Sequence, residues 1–336
     1  MVPEAVFDYG HGIWAVDSVY ERRLQTAVHV IVEDGRAAIV DTGTSHAASR
    51  VLAALAARGI AAAQVDFVIL THVHLDHAGG AGQLMARLPN ARLAVHPRGV
   101  RHMADPRRLL AATVAIYGEA AVRRIYGEVL PVARERIVAT PEGASLRLGG
   151  RELQFFDAPG HARHHVVVRD ARTGHVFAGD TFGLSYRELD VQGRQFSFPT
   201  TSPSQFEPRA LHRSIDRILA LGPEALYLTH FGRVGDPARL AGDLHRLIEA
   251  HAALGERLRR AGAGRHALLR EGVAALVLAE RERQGWRLPP ARVLEVFALD
   301  IELNAQGLGS WLDASERAER SRLRDGPLSE GKSALG

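Results

Sequence analysis

Thr71-His72-Val73-His74-Leu75-Asp76-His77-Ala78-Gly79-Gly80 decides how this chain reads. It places three imidazoles and one carboxylate within six residues. The segment directly follows residues 65–70, a β-branched apolar run that reads as a buried strand, and leads toward a helix. A strand-to-helix turn aims such side chains at one spot. Neutral imidazoles with a carboxylate suit zinc and comparable first-row metals. A solvated histidine-rich loop is the ordinary alternative, and it explains one histidine better than this spacing after a buried strand.

Outward from that segment the chain alternates short strands, glycine turns and helices, the pattern of α/β layers. Residues 28–32 and 37–40 read as a hairpin with Asp34-Gly35 at the turn. Residues 47–58 carry Val51, Leu52 and Leu55 at helical spacing. Further strands are expected at 93–95, 153–156, 166–168, 176–178 and 226–228. Three polar groups close such runs: His161 after Asp157-Ala158-Pro159-Gly160, Asp180 after Phe177-Ala178-Gly179, and His230 after Tyr227-Leu228-Thr229. From Asp236-Pro237 the texture turns helical, with Asp236 a candidate cap and further helices near 265–284 and 290–304. The reading divides the chain into a catalytic domain over 1–235, a helical C-terminal module over 236–312 and a flexible tail over 313–336.

Composition narrows the classes. The 336 residues are 46% hydrophobic and 24% charged, which excludes wholesale disorder. No apolar run approaches the ~20 residues of a membrane helix, and the first residues do not read as a secretion signal. A cytoplasmic protein without membrane contact is therefore expected. The 42 basic and 38 acidic side chains are evenly spread, and no basic arm marks a nucleic-acid binder. The absence of cysteine excludes disulfides, thiolate metal sites and cysteine nucleophiles.

Five landmarks in order resemble the metallo-β-lactamase superfamily of metal hydrolases: Asp41-Thr42-Gly43, the 72–77 cluster, Pro159-Gly160-His161, Gly179-Asp180-Thr181 and Thr229-His230. The resemblance implies a four-layer αβ/βα sandwich with two metals at one edge of the sheets. His72, His74 and His161 would hold the first metal; Asp76, His77 and His230 the second; Asp180 would bridge both. It also implies two zinc ions, with manganese or iron as substitutes, and a metal-bridging hydroxide that cleaves an ester, lactone or thioester. Asp76 would orient that nucleophile and take a proton. Asp41 and Thr71 read as groups that fix ligands or backbone, and His164 and His165 as non-ligating neighbours.

Departures from known branches prune the substrate. His74 stands where flavodiiron proteins carry glutamate. Asp180 is present where antibiotic-cleaving members lack it. The Phe182–Glu188 stretch differs from that of glyoxalase II-type thioesterases, which speaks against glutathione thioesters. Lactonases carry a tyrosine three residues after the bridging aspartate; here that place is Gly183, leaving Tyr186 as a weaker catalytic candidate. Phe177, Phe182, Tyr186, Phe196, Phe198 and Phe206 cluster between two expected ligands, as a pocket wall or as core. As a wall they favour a small apolar or acyl-bearing substrate. The alternatives are a mononuclear iron persulfide dioxygenase-like oxidoreductase, a phosphodiester hydrolase and a non-catalytic binding module. The helical module could cover the pocket, extend it or form a homodimer contact.

Overall fold

The computed structural model describes residues 6–201 and 205–324. The first sheet has seven strands in chain order: β1 (Val6–Asp8), β2 (Ile13–Asp17), β3 (Ala27–Glu33), β4 (Arg36–Val40), β5 (Val65–Ile69), β6 (Arg92–Val95) and β7 (Ile137–Ala139). Its first four strands are antiparallel neighbours and the last three add in parallel. The β3–β4 hairpin closes with Glu33 opposite Arg36. Asp34 and Gly35 both adopt positive φ, 49° and 72°, as the tight turn between twisted strands requires. The second sheet holds β8 (Ser145–Leu148), β9 (Arg151–Asp157), β10 (Val166–Asp170), β11 (Val176–Gly179), β12 (Ala225–Leu228) and β13 (Gly232–Gly235), again in sequential order. Only β11 and β12 pair in parallel.

Strand alternation builds the layers. In β4, Ala37 and Ile39 face an outer core while Ala38 and Val40 face the other sheet. In β10, Val166 and Val168 face inward while Val167 faces the opposite outer core. The helices covering the first sheet are α1 (Ala48–Ala57), α2 (Leu75–Ala78), α3 (Ala81–Arg87) and α4 (Val100–Ala104). Two more, α5 (Arg107–Tyr117) and α6 (Glu119–Tyr126), project beyond them. The second sheet is covered by α7 (Pro208–Ala220), α8 (Pro237–Leu258), α9 (Arg265–Gln284), α10 (Pro290–Val296) and α11 (Ala298–Arg324). The result is a four-layer αβ/βα sandwich with C-terminal helices.

Four local expectations change. The C-terminal helices share one continuous core with the second sheet, and Leu269, Val273 and Phe297 join Phe182 and Leu226 within it. The six aromatics between residues 177 and 206 belong to sandwich cores and form no pocket wall. Phe196 lies 4.7 Å from Trp286 and Phe198 lies 5.2 Å from Phe297, ring centre to ring centre. Helix α11 continues past residue 313, where a flexible tail is expected, as far as Arg324. Leu312 is buried, and Asp313 and Glu319 pair with Arg265 and Arg259 at 2.6 and 3.2 Å, which holds this stretch in place. Residues 325–336 of the expected tail lie outside the described residues. Asp236 sits before Pro237 as expected, but its carboxylate accepts from Arg239 Nε at 2.9 Å and caps no backbone group.

Candidate metal centre

The ends of four strands converge at one edge of the sandwich. β5 delivers Thr71 and His72, the turn after it His74, and α2 Asp76 and His77. β9 leads to His161, β11 to Asp180 and β12 to His230. Gly160 makes the His161 turn feasible: its φ is +131°, and a Cβ there would lie 2.3 Å from the Leu211 backbone nitrogen of α7. All seven expected ligands meet, in three overlapping groups: His72, His74 and His161; His72, His77 and Asp180; Asp76, His77 and His230.

Distances give this convergence chemical content. His74 Nδ1 lies 2.9 Å from His72 Nε2 and 3.0 Å from His161 Nε2. His77 Nε2 is 3.5 Å from Asp76 Oδ2 and 3.3 Å from Asp180 Oδ1, while His230 Nε2 is 3.4 and 3.5 Å from the same two oxygens. Asp180 faces both sides, because its Oδ2 lies 3.4 Å from His161 Nε2. Ligands held at about 2.0 Å in a tetrahedron stand roughly 3.3 Å apart, so these separations suit a first-row dication. His77 Nε2 and Asp180 Oδ1 are buried without a hydrogen bond of acceptable geometry. Buried polar atoms are nearly always satisfied, and a metal is the partner this donor set fits.

The remaining ring nitrogens are held by the protein. His77 Nδ1 donates to Asp41 Oδ2 at 2.9 Å, His161 Nδ1 meets the Thr200 carbonyl at 3.2 Å, and His230 Nδ1 donates to the Gln25 carbonyl at 2.9 Å. Such outer bonds fix the tautomer that leaves Nε2 free to ligate. Asp41 is fully buried and also accepts from the Thr71 amide at 2.8 Å and from the Thr71 and Thr229 hydroxyls. It therefore orients and does not ligate, as read from the sequence. His165 stacks 4.9 Å from His72, accepts the Asp180 amide at Nε2 (3.1 Å) and contacts Thr181 Oγ1. His164 Nδ1 faces the Val73 amide at 3.4 Å.

Electrostatics divides the cluster. Burial, reinforced by neighbouring imidazoles, pushes His72 and His74 well below the ordinary histidine range and keeps them neutral. Burial also acts against charge on His77 and His230, but the carboxylates override it. Asp180, Asp76 and Asp41 hold His77 well above its ordinary value, and Asp180 and Asp76 raise His230 to about 9. Burial opposes ionisation of Asp76 as well, yet His77 and His230 bring it down to about 2. The carboxylates thus draw protons to the place a dication would take, and metal binding would release them.

Beside the ligands lies a cavity of about 240 Å³. Tyr20, Leu109, Ile116, Tyr117 and Tyr126 form one wall, and Leu299, Asp300, Leu303 and Asn304 of α11 the other. The sequence reading missed this wall. The α5 and α6 residues carry apolar spacing that reads equally as core, and nothing local marks Asp300. Tyr186 is corrected: it is fully buried, its ring packs 5.6 Å from Phe297, and its hydroxyl donates to both Asp300 oxygens at 3.0–3.1 Å. It lines no part of the cavity. Asp300 does, and burial raises its carboxyl to about 6.

Comparison with known proteins identifies the family. Residues 22–230 match the family model of the metallo-beta-lactamase superfamily. The chain belongs to that superfamily. It is a metal-dependent hydrolase. It is 31% identical over 239 residues to the hydroxyacylglutathione hydrolase of Xanthomonas axonopodis pv. citri, covering 71% of each chain. With the hydroxyacylglutathione hydrolase of Acidiphilium cryptum it shares 30% identity over 246 residues, 70% of this chain and 76% of the relative. Among solved structures, a metallo-beta-lactamase family protein from Thermus thermophilus superposes with a TM-score of 0.62 at 22% identity, over 91% of this chain and 94% of the other. Among the described residues, no helix is long and apolar enough to cross a membrane.

Proposed function

We propose that this chain is a dinuclear hydrolase of acyl esters, lactones or thioesters, with zinc the favoured metal and the thioester favoured among substrates by the activity named for its relatives. The observation that carries the reading is the seven-ligand cluster with Asp180 facing both halves, at the end of a largely apolar cavity. His72, His74 and His161 would hold one metal, Asp76, His77 and His230 the other, and Asp180 both. When bound, such metals supply a water of lowered pKa and Lewis acidity toward a carbonyl oxygen.

The chain's own groups do the rest. Asp76 is a carboxylate at neutral pH, borders the cavity and is positioned to orient the attacking water and accept its proton. Asp41, Thr200 and Gln25 hold the imidazoles in ligating tautomers. The tyrosine and leucine wall excludes bulk water from the acyl carbon and strengthens every charge interaction there.

Elemental analysis of protein purified without added metal, followed by assay on a panel of lactones, thioesters and phosphodiesters, tests this reading. Close to two zinc or manganese ions per chain and acyl hydrolysis, abolished in Asp76→Ala and His77→Ala, are expected. A single iron with oxygen uptake on glutathione persulfide, or full activity in the metallated variants, would overturn it.

A further inference from the structure

The metal-ligand cavity adjoins a second, open cleft of about 1350 Å³, and His102 and Gln205 border both. Arg98, Arg101, Arg134, Arg163 and Arg317 line this cleft, and among the described residues no aspartate or glutamate does. Arg98, Arg134 and Arg101 each spend one guanidinium nitrogen on a neutral acceptor: the Arg163 carbonyl, the Ile137 carbonyl and His102. Among the described residues, no carboxylate lies within 4 Å of any of the five guanidinium groups. Elsewhere arginines pair readily, as Arg22 does with Glu188 and Arg246 with Glu280. A chain whose cations are almost all arginine scatters them over its surface. Five around one acid-free cleft, beside the metal ligands, form a concentrated positive field.

The two cavities differ in the chemistry they accept. The inner one is walled by Leu109, Ile116, Tyr117, Tyr126, Leu299 and Leu303. A dry cavity of about 150 Å³ takes up benzene, so 240 Å³ holds a short acyl chain or an aryl group. The outer one suits phosphate or carboxylate oxygens, which guanidinium forks bind in pairs. Building on the acyl-hydrolase reading, we propose that the substrate is an acyl thioester with a polyanionic leaving group. The acyl group lies in the inner cavity and the anionic carrier along the arginine cleft.

Reach favours a long carrier. Asn304 borders the inner cavity and Arg317 the cleft, both on α11. Thirteen residues of helix separate them, about 20 Å at 1.5 Å per residue. Three extended residues span ~11 Å, and glutathione, lengthened by the two methylenes of its γ-glutamyl link, still falls short of that distance. A phosphorylated thiol carrier of coenzyme A dimensions can engage the whole row. The reaction is redox-neutral: water adds to the acyl carbon, the C–S bond breaks, one of water's protons goes to sulfur and the other to solvent, leaving a carboxylate and a free thiol.

Three hexanoyl thioesters, of coenzyme A, glutathione and N-acetylcysteamine, separate phosphate, carboxylate and neutral carriers on the metal-loaded enzyme. The coenzyme A ester is expected to have a kcat/KM about tenfold or more above the neutral one, through KM, with the advantage shrinking in 0.5 M salt. In Arg101→Glu/Arg317→Glu this selectivity ratio falls about tenfold, and in the glutamine pair it falls part way. Matching melting curves exclude misfolding. Equal kcat/KM for all three carriers, or preference for glutathione, overturns the proposal. If no thioester is cleaved, the acyl-hydrolase reading fails, and calorimetry with coenzyme A itself still decides the cleft: tenfold weaker binding by the glutamate pair supports it. No binding, or tighter binding of a single-stranded oligonucleotide, overturns it.

Discussion

Asp41→Asn is the sharpest probe of how the protein makes its metal site. In the wild type, Asp41 Oδ2 accepts from His77 Nδ1 at 2.9 Å, which fixes the Nδ1–H tautomer and leaves Nε2 free to ligate. Asn keeps the size and an acceptor for the Thr71 amide now bound at 2.8 Å. Its amide nitrogen can donate to the Thr71 and Thr229 hydroxyls, which rotate to accept. Toward His77, however, the same nitrogen presents a donor, so the ring must accept at Nδ1 and carry its proton on Nε2, where a metal should sit. Losing such an orienting carboxylate costs about 10–100-fold in metal affinity, or about 1.4–3 kcal/mol. Competitive chelator titration of metal-free protein measures this directly. The melting temperature of the metal-free form is expected to fall by only a few degrees, because most of the hydrogen bonds survive. Wild-type metal affinity in Asp41→Asn would refute the tautomer argument. An equally large loss of stability without metal would show instead that Asp41 chiefly holds the fold.

Two predictions concern stability away from the ligands. His251 is fully buried against Phe198 and donates from Nδ1 to the Leu247 carbonyl; burial lowers its pKa to about 4. The unfolded chain, near 6.5, therefore takes up a proton first. The stability from burying neutral His251 is complete above about pH 6.5 and is lost as pH falls toward 4, about 2 kcal/mol of it by pH 5. Denaturant unfolding at pH 7 and pH 5 should show His251→Leu losing about that much less than wild type; parallel losses would contradict this. Arg151 is buried and donates to Asp170 Oδ1 at 3.0 Å and to the His11 carbonyl at 2.7 Å. Arg151→Met strands the Asp170 charge and should cost about 3–5 kcal/mol in the same assay, with part recovered in Arg151→Met/Asp170→Leu. A loss under about 1 kcal/mol would show that Arg172 and Thr173 compensate for Asp170.

What the sequence disclosed depended on how local each signal was. The β3–β4 turn needs only two neighbouring residues with positive φ, and Asp34-Gly35 declares them. Four of the seven candidate ligands lie on one turn and announce themselves by spacing, whereas His161, Asp180 and His230 are each ordinary strand-end residues until the fold assembles them. The cavity wall has no local signature. Tyr20, Tyr117, Tyr126 and Leu299 come from distant segments, and an apolar helix face looks the same whether it meets core or cavity. Local enrichment misled at Tyr186 and its aromatic neighbours, because α8 to α11 bury them from outside and only Asp300 carries Tyr186's influence to the cavity. The arginine row was hidden by its spread from residue 98 to 317 in a chain where Lys332 is the sole lysine.

These differences in legibility follow a division of labour in the molecule. The family match ends at His230, and every candidate ligand lies within it. Leu299, Asp300, Leu303 and Asn304, which shape one side of the cavity, and Arg317, which extends the cationic row, lie beyond it on α11. The same helix is bonded back to the catalytic unit: Asn304 Oδ1 accepts the Thr201 amide at 2.8 Å and its Nδ2 donates to the Pro199 carbonyl, flanking the Thr200 carbonyl that meets His161. The wall proposed to select the acyl group is therefore joined to the backbone that orients His161, a candidate ligand. A fold shared by many hydrolases can then keep its metal chemistry while a helix beyond the family match sets what reaches it. Loosening α11 by Asn304→Ala should accordingly change acyl-chain preference and metal affinity together, whereas Leu303→Ala, which removes wall and no hydrogen bond, should change preference alone.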